Sequence, residues 1–266
     1  MNVAYCCIEP WLLKNFAKYF NLMDSSKLEK NKFDLFVMGS HGFKTLGEVG
    51  IMLNEVEWFI RTGKIKKIVY LSGYSVYKPN KSGIYTEKDV KEPNSFVGLV
   101  NHIIEESLKF YSNKYKELKV AIFRLFNIYG PFQEKGYIVP DVIEEVINGD
   151  NVIRIGNLKK VRDFVYVEDL ISALKIVNDK FEKSFSVYNI ASSEPLSIRK
   201  LVERVIEISG KKELKIVFDP SKIRVEYDYD YAVGDNKKIE KELGWKPKYD
   251  IEEGLKLTYY WYLGKE

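Results

Sequence analysis

Short apolar runs alternate along this chain with stretches of helical periodicity, and no other feature constrains the fold as much. "NVAYCC", "FDLFVMG", "KKIVYLSG" and "KVAIFRLFNIYGP" read as strands, and "VYNIASS" and "ELKIVFD" follow later. Between them lie amphipathic stretches such as "PWLLKNFAKYFNLM", "LGEVGIMLNEVEWFIRTGK" and "SFVGLVNHIIEESLKFYSNKY". Strands separated by helices predict an α/β fold with a parallel sheet covered by helices. Pro10 suits the first turn of its helix, Ser197 suits an N-cap, and Gly210 suits a helix end. Only "NLMDSSKLEKNK" joins the first helix to "FDLFVMG", too little for a strand–helix–strand insert. The sheet is therefore expected to be short in its N-terminal half.

Composition narrows the function classes. Apolar residues make up 45% of the 266 positions, enough for one large core. No apolar run approaches the roughly 18–20 residues of a membrane span. The N-terminus lacks the basic start of a secretory leader. The only cysteines, Cys6 and Cys7, are adjacent, which excludes a disulfide framework and fits the cytoplasm. Nothing near them has metal-ligand spacing. With 42 basic and 38 acidic residues the net charge is +4, which suits a small anionic ligand and gives no stripe for nucleic acid.

Six stretches carry a resemblance: "IVYLSGYSVYKP", "YTEKDVKEPNS", "FRLFNIYGPFQ", "YIVPDVIEEVINGDNVIRIGNLKKVRDFVYVEDL", "VYNIASSEPLSI" and "ELGWKPKYDIEEGL". In this order and spacing, the chain resembles the extended short-chain dehydrogenase/reductases, the NAD-dependent nucleotide-sugar epimerases and dehydratases. The resemblance implies a Rossmann-like doubly wound parallel sheet with a small C-terminal substrate lobe. It implies one unit, with a reduced core over about residues 1–130 and mixed core and lobe over about 131–266.

The motifs that hold cofactor and do chemistry in that family depart here. The family's first strand runs into a turn whose glycines permit a tight bend and close approach of a pyrophosphate. Here those positions read Cys7, Pro10 and Leu13. Two carry a Cβ where none is wanted, and Pro10 removes an N–H from the phosphate-facing end. The short Asn21–Lys32 connection leaves no place for the acidic residue that grips the adenosine ribose. No bound dinucleotide is expected. The family's catalytic hydroxyl, Tyr and Lys fall on Gly73, Val97 and Asn101. A phenol near pKa 10 needs a nearby cation to act as base at neutral pH, and this set has neither. Ser72 and Ser75 lie close to Gly73 but in a shifted register. Tyr77–Lys81 and Tyr115–Lys119 match the Tyr–Lys spacing formally, the first in a loop and the second far along the helix. His41, Tyr74, Tyr85 and His102 are outsiders for relocated chemistry.

The substrate-side motifs are better kept. The resemblance places Asn127 at the nucleotide-sugar and Arg162 and Arg224 at its diphosphate, a role suited to the planar, permanently charged guanidinium. Asp163 and Tyr166 read as ties between strand and helix. The leading expectation is a catalytically degenerate member that binds a nucleotide-diphosphate sugar or serves as a partner subunit in surface-sugar biosynthesis. The alternatives are an active epimerase, dehydratase or reductase using NAD(P) with unusual residues, and a purely structural dimer partner. Phe96, Val100, Ile103, Ile104, Leu108 and Phe110, with Ile51, Met52, Trp58 and Phe59, supply more apolar surface than one inner stripe needs. They predict a homodimer or a heterodimer with an active paralogue.

Overall fold

The computed structural model describes residues 1–27, 32–148, 151–223 and 229–264. In chain order the elements begin with β1 (Asn2–Cys6), α1 (Pro10–Phe16), β2 (Asn21–Asp24), β3 (Leu35–Met38), α2 (Leu46–Arg61), β4 (Lys67–Gly73) and β5 (Ile84–Tyr85). Then come α3 (Phe96–Lys114), β6 (Lys119–Leu125), β7 (Asn127–Tyr129), α4 (Ile138–Asn148), β8 (Val152–Ile155), β9 (Val161–Tyr166) and α5 (Val167–Lys180). The C-terminal part holds β10 (Phe185–Ile190), β11 (Pro195–Ser197), α6 (Ile198–Ser209), β12 (Lys215–Phe218), β13 (Tyr231–Gly234), α7 (Lys237–Leu243) and α8 (Ile251–Tyr262).

Six parallel strands form the main sheet in the order β10-β6-β4-β3-β1-β2. One core, filled by α1, α4, α5, α6 and α8, covers one face, and a second, filled by α2 and α3, covers the other. The inner strands β3, β4 and β6 are buried on both faces, which is why they read as continuous apolar runs. The chain reverses its direction of winding between β1 and β3, and the crevice beyond their C-terminal ends is where ligands bind in such sheets.

The connection after α1 departs from the sequence reading. The expected helix over "PWLLKNFAKYFNLM" stops at Phe16, and Asn21–Asp24 forms β2, an edge strand paired in parallel with β1 from Asn2↔Asn21 to Tyr5↔Asp24. A strand therefore does fit there, and Asp24 stands at its C-terminal end, where the reading had left no acidic residue. Its four residues lie mostly on the surface, so no apolar run announces it. The sheet ends at β2 among the described residues, which is the sense in which its N-terminal half is short.

Local signals set the other boundaries. Thr45 and Glu48 form a reciprocal capping box on α2. Ser95 caps α3 through its bond from the Gly98 N–H, Ser197 caps α6, and Gly210 closes α6 in the left-handed region. "KVAIFRLFNIYGP" is not one strand. The chain leaves the main sheet after Leu125, and Asn127–Tyr129 pairs with β9 in a second sheet of order β11-β9-β13-β5. With the small β12-β8 pair, α4 and α6, this second sheet builds the C-terminal lobe. Val100, Ile104, Leu108, Met52 and Phe59 are buried in the monomer, whereas Ile51, Trp58, Phe96 and Phe110 remain exposed on α2 and α3. No helix among the described residues is long and apolar enough to cross a membrane.

Candidate functional site

A cleft of about 1270 Å³ runs from the ends of β1, β3, β4 and β6 to the C-terminal lobe. Cys7, His41, Gly73, Tyr74, Ser75, Val97, Asn101, Asn127 and Arg162 all line it. These nine positions thus meet in one place, whereas Pro10, Leu13, Tyr85 and His102 are not part of the lining.

At the β1 end the phosphate turn keeps its bend without its glycines. Cys7 takes φ 53, the left-handed conformation that glycine adopts at no steric cost. Its carbonyl accepts the His41 N–H at 2.9 Å, and a Cβ on Gly39 would stand 2.6 Å from that same oxygen, so two chain segments cross here at backbone contact. The adjacent Cys7 thiol, together with burial, holds the Cys6 thiol well above its usual range, and Cys6 in turn draws the Cys7 thiol below it against the effect of burial. Pro10 occupies the first turn of α1, and Leu13 packs against the core. The residue that sequence reasoning missed is Glu9. Its Oε2 accepts the Trp11 indole N–H at 2.6 Å and the Tyr137 hydroxyl at 2.6 Å, joining the sheet domain to the lobe. A carboxylate stands where a pyrophosphate would need positive potential, so these residues do not fit a dinucleotide's phosphates.

In the centre, Gly73 ends β4 in extended conformation (φ −141°, ψ 161°). Val97 and Asn101 lie one turn apart on the cleft side of α3. Asn101 is 3% exposed, and its Oδ1 accepts the Tyr70 hydroxyl at 2.6 Å. Beneath them Glu105 binds Arg124 through both carboxylate oxygens, at 3.0 Å (Nε) and 2.6 Å (Nη2), and accepts Ser72 Oγ at 2.7 Å. Ser72 and Ser75 both line the cleft, and the Ser72 hydroxyl is spent on Glu105. Of the outsiders, His41 is exposed at the cleft mouth. Tyr85 is turned away: its ring stacks on Tyr77 at 5.2 Å and its hydroxyl accepts the Asn80 N–H. His102 is likewise outside the cleft lining, and its Nδ1 is buried with no partner among the described residues. Tyr74 stacks on Phe126 at 5.2 Å. Burial raises its hydroxyl, against the pull of the Arg162 guanidinium charge.

At the lobe end Asn127 Nδ2 donates to the Asp163 carbonyl at 3.2 Å. Arg162 is 7% exposed and donates to the Val161 carbonyl at 2.8 Å. No carboxylate pairs with it among the described residues. Asp163 is fully buried and engaged elsewhere, accepting the Ser192 and Ser193 N–H groups, the Ser192 hydroxyl and the Gly234 N–H. Burial pushes its carboxyl up to about 6 while those donors pull it back. It ties β9 to the loop after β10 and to β13, rather than to a helix. Tyr166 does join strand to helix, as the last residue of β9 and the N-cap of α5. Arg224 lies outside the described residues. No group of three metal-ligating side chains occurs among the described residues.

A family model described as GDP-mannose 4,6 dehydratase matches residues 51–258. The low-salt glycan biosynthesis protein Agl12 of Haloferax volcanii is 30% identical over 202 residues, covering 76% of this chain and 63% of that protein. A putative UDP-glucose 4-epimerase of Methanocaldococcus jannaschii is 32% identical over 223 residues, covering 81% and 69%. The chain spans about three fifths of the length of the first curated relatives it matches. Among solved structures, RMD from Pseudomonas aeruginosa complexed with NADPH superposes with a TM-score of 0.83 at 18% identity, covering all of both chains. MoeE5 in complex with UDP-glucuronic acid and NAD gives 0.82 at 20% identity, again over both full chains. The fold, the cleft and the match over residues 51–258 together make this chain a member of the extended short-chain dehydrogenase/reductases, in the family of GDP-mannose 4,6 dehydratase and the nucleotide-sugar epimerases.

Proposed function

We propose that this protein is a catalytically degenerate family member that binds a nucleotide-diphosphate sugar, as a cytoplasmic binding or partner subunit in surface-sugar biosynthesis. The observation that carries the reading is Arg162, a buried guanidinium on the cleft wall with no carboxylate partner among the described residues. A buried cation without a counter-charge is costly, and a diphosphate relieves that cost while using the planar fork. Asn127 borders the same wall, and Arg224 is its proposed second arginine. The central positions Gly73, Val97 and Asn101 supply no acid or base. Relatives are named for glycan biosynthesis and nucleotide-sugar chemistry, which agrees with the class of ligand.

The test is a thermal-shift and calorimetric panel of UDP-, dTDP-, GDP- and CDP-linked sugars. One of them saturates the wild type, and Arg162→Ala weakens it about tenfold, the value of one charge-assisted hydrogen bond. If none binds, the reading fails and a purely structural partner role takes its place.

One observation favours a second reading, that of an active NAD(P)-dependent enzyme with unusual residues. Asp24 ends β2 at the edge where an adenosine ribose would be gripped. Calorimetry with NAD(H) and NADP(H) separates the two, since Glu9, Cys7 and Pro10 oppose the phosphates of either.

A further inference from the structure

The end of the main sheet opposite the cleft carries a second hollow. A cavity of about 730 Å³ lies where β3, β4 and β6 begin, a size that suits a small-molecule ligand. Lys32, Lys64, Lys66, Lys67 and Lys119 line it, with two acids, Asp34 and Glu117. Asp34 is spent on the Asn2 N–H at 2.8 Å. Strand β4 spans seven residues from Lys67 to Gly73, about 20 Å at the rise of a strand, so this cavity is separate from the cleft.

Its lysines are set against one another. Lys67 and Lys119 are register partners on the neighbouring parallel strands β4 and β6, which lie about 4.8 Å apart. Like charges opposite each other across strands are destabilising. Lys67 is partly buried and gives one of its three donors to the Asn178 carbonyl at 2.7 Å. Burial draws its ammonium group below the usual lysine range, and Lys119 adds to that effect against the opposing pull of Glu182. The nearby acids offset little of this. Glu182 holds Lys119, and Glu117 holds Lys66 at 3.1 Å, but these carboxylates are 72% and 82% exposed. Exposed pairs of this kind are screened by water and contribute little.

We propose that this cavity is a second binding site of the protein, for a small molecule that carries several linked phosphoryl groups. Ammonium groups on flexible stems act as point charges that follow a chain of phosphates, whereas a single planar anion is better met by the arginine fork. The cavity's cations among the described residues are all lysines. One polyanion within reach of Lys67 and Lys119 removes their opposition and gives both ammonium groups an acceptor. A hollow rather than a flat face suits a free molecule over a bilayer surface. The site is independent of the nucleotide-sugar reading, which rests on Arg162 in the cleft at the other end of the sheet.

Inorganic tripolyphosphate titrated into the wild type by calorimetry, at about 50 mM salt where screening is weak, tests the site. It saturates one site per chain and raises the unfolding midpoint. Lys67→Gln and Lys119→Gln, which keep a donor and most of the side-chain length, each weaken binding about tenfold, the worth of one charge-assisted hydrogen bond. Should Lys67→Gln fail to fold, Lys119→Gln and the exposed Lys32→Gln carry the comparison. Arg162→Ala and Lys256→Gln, the latter an exposed lysine on α8, leave binding unchanged. No saturation, or binding unaltered in the cavity variants, overturns the site. An equal loss in Lys256→Gln overturns it as general attraction of a polyanion to a basic chain. Loss in Arg162→Ala overturns it too, because the anion then belongs to the cleft. Binding to phosphatidylglycerol vesicles without saturation by tripolyphosphate assigns the lysines to a lipid surface instead. The titration contains no nucleotide, so its failure leaves the nucleotide-sugar reading standing.

Discussion

Replacing Glu105 with Gln should be the most damaging isosteric change near the cleft. Glu105 and Arg124 are each 2% exposed and meet at 2.6 Å, with a second bond at 3.0 Å. Lys91 stands 3.9 Å from Glu105 on the other side but is paired with Glu106, and so does not replace it. The Arg124 guanidinium also covers the Tyr77 ring at 4.7 Å, which fixes it in place when its partner is neutralised. Glutamine keeps the volume and one acceptor, so the variant isolates the charge. Removing one partner of a buried pair costs about 3–5 kcal/mol, because the other charge stays buried without compensation. With about 2.1 cal/mol/K of unfolding entropy per residue, a chain of 266 residues should lose about 5–9 °C in midpoint. Urea denaturation and calorimetry on the purified protein measure both quantities. The double variant Glu105→Met, Arg124→Leu removes both charges and should recover most of the loss. A Gln variant costing less than about 1 kcal/mol, or a double variant as damaging as the single, would refute the assignment of this pair as the support of α3 on β6.

Two further outcomes follow from packing. Gly98→Ala should destabilise the protein by about 2 kcal/mol or more in urea unfolding, because its Cβ would stand 2.4 Å from the Ser75 carbonyl oxygen. In light scattering at tens of micromolar, the chain should run as a dimer through the exposed Ile51, Trp58, Phe96 and Phe110, and Trp58→Glu with Phe110→Glu should give monomer; a wild-type monomer would leave only association with a related chain.

What was legible in the sequence was local or periodic. The strands β4 and β6, the caps at Ser197 and Gly210 and the two-sided apolar content of α3 each depend on residues within a turn or a strand of one another. Strand β2 was not legible, because Asn21–Asp24 is an edge strand with no buried side chain and hence no pattern. Glu9 was missed for a different reason: one of its two partners, Tyr137, is 128 positions away, and a lone glutamate before Pro10 carries no signal. Asp163 reads in the sequence as a tie to the following helix, yet its four donors come from the loop after β10 and from the end of β13, which only the folded lobe brings to it. Ser75 and Ser72 differ by one β-strand-to-turn step. Sequence could name both as close to Gly73, but not that Glu105, 33 positions on, takes the Ser72 hydroxyl.

Gly73, Val97 and Asn101, where the family's hydroxyl, Tyr and Lys fall, sit above a support held by Glu105 and Arg124. Val97 is 47% exposed, a Cβ on Gly73 would meet its neighbours at ordinary contact distances, and Asn101 already bonds a tyrosine hydroxyl that would equally accept an ammonium proton. None of these positions carries the buried charge that makes Glu105 irreplaceable. Writing the family set back in, as Gly73→Ser, Val97→Tyr and Asn101→Lys together, should cost stability chiefly at Asn101, which is 3% exposed and would take an ammonium group in place of an amide, while the exposed Val97 contributes little. The phenol of the restored tyrosine would again have a cation one helical turn away to favour its ionised form. Nicotinamide cofactor should still not bind, because the Glu9 carboxylate, the Pro10 ring and the Cys7 side chain remain at the phosphate turn. Absorbance of the denatured triple variant, and calorimetry with NAD(H), read this directly. Adding Glu9→Gln and Cys7→Gly removes the opposing charge and the Cβ from the bend, and leaves Asp24 in place at the end of β2. If cofactor binds at all, it should bind first in that five-fold variant. Stoichiometric cofactor in the triple variant, or in the wild type, would show that the phosphate turn is not the barrier its charge and geometry make it.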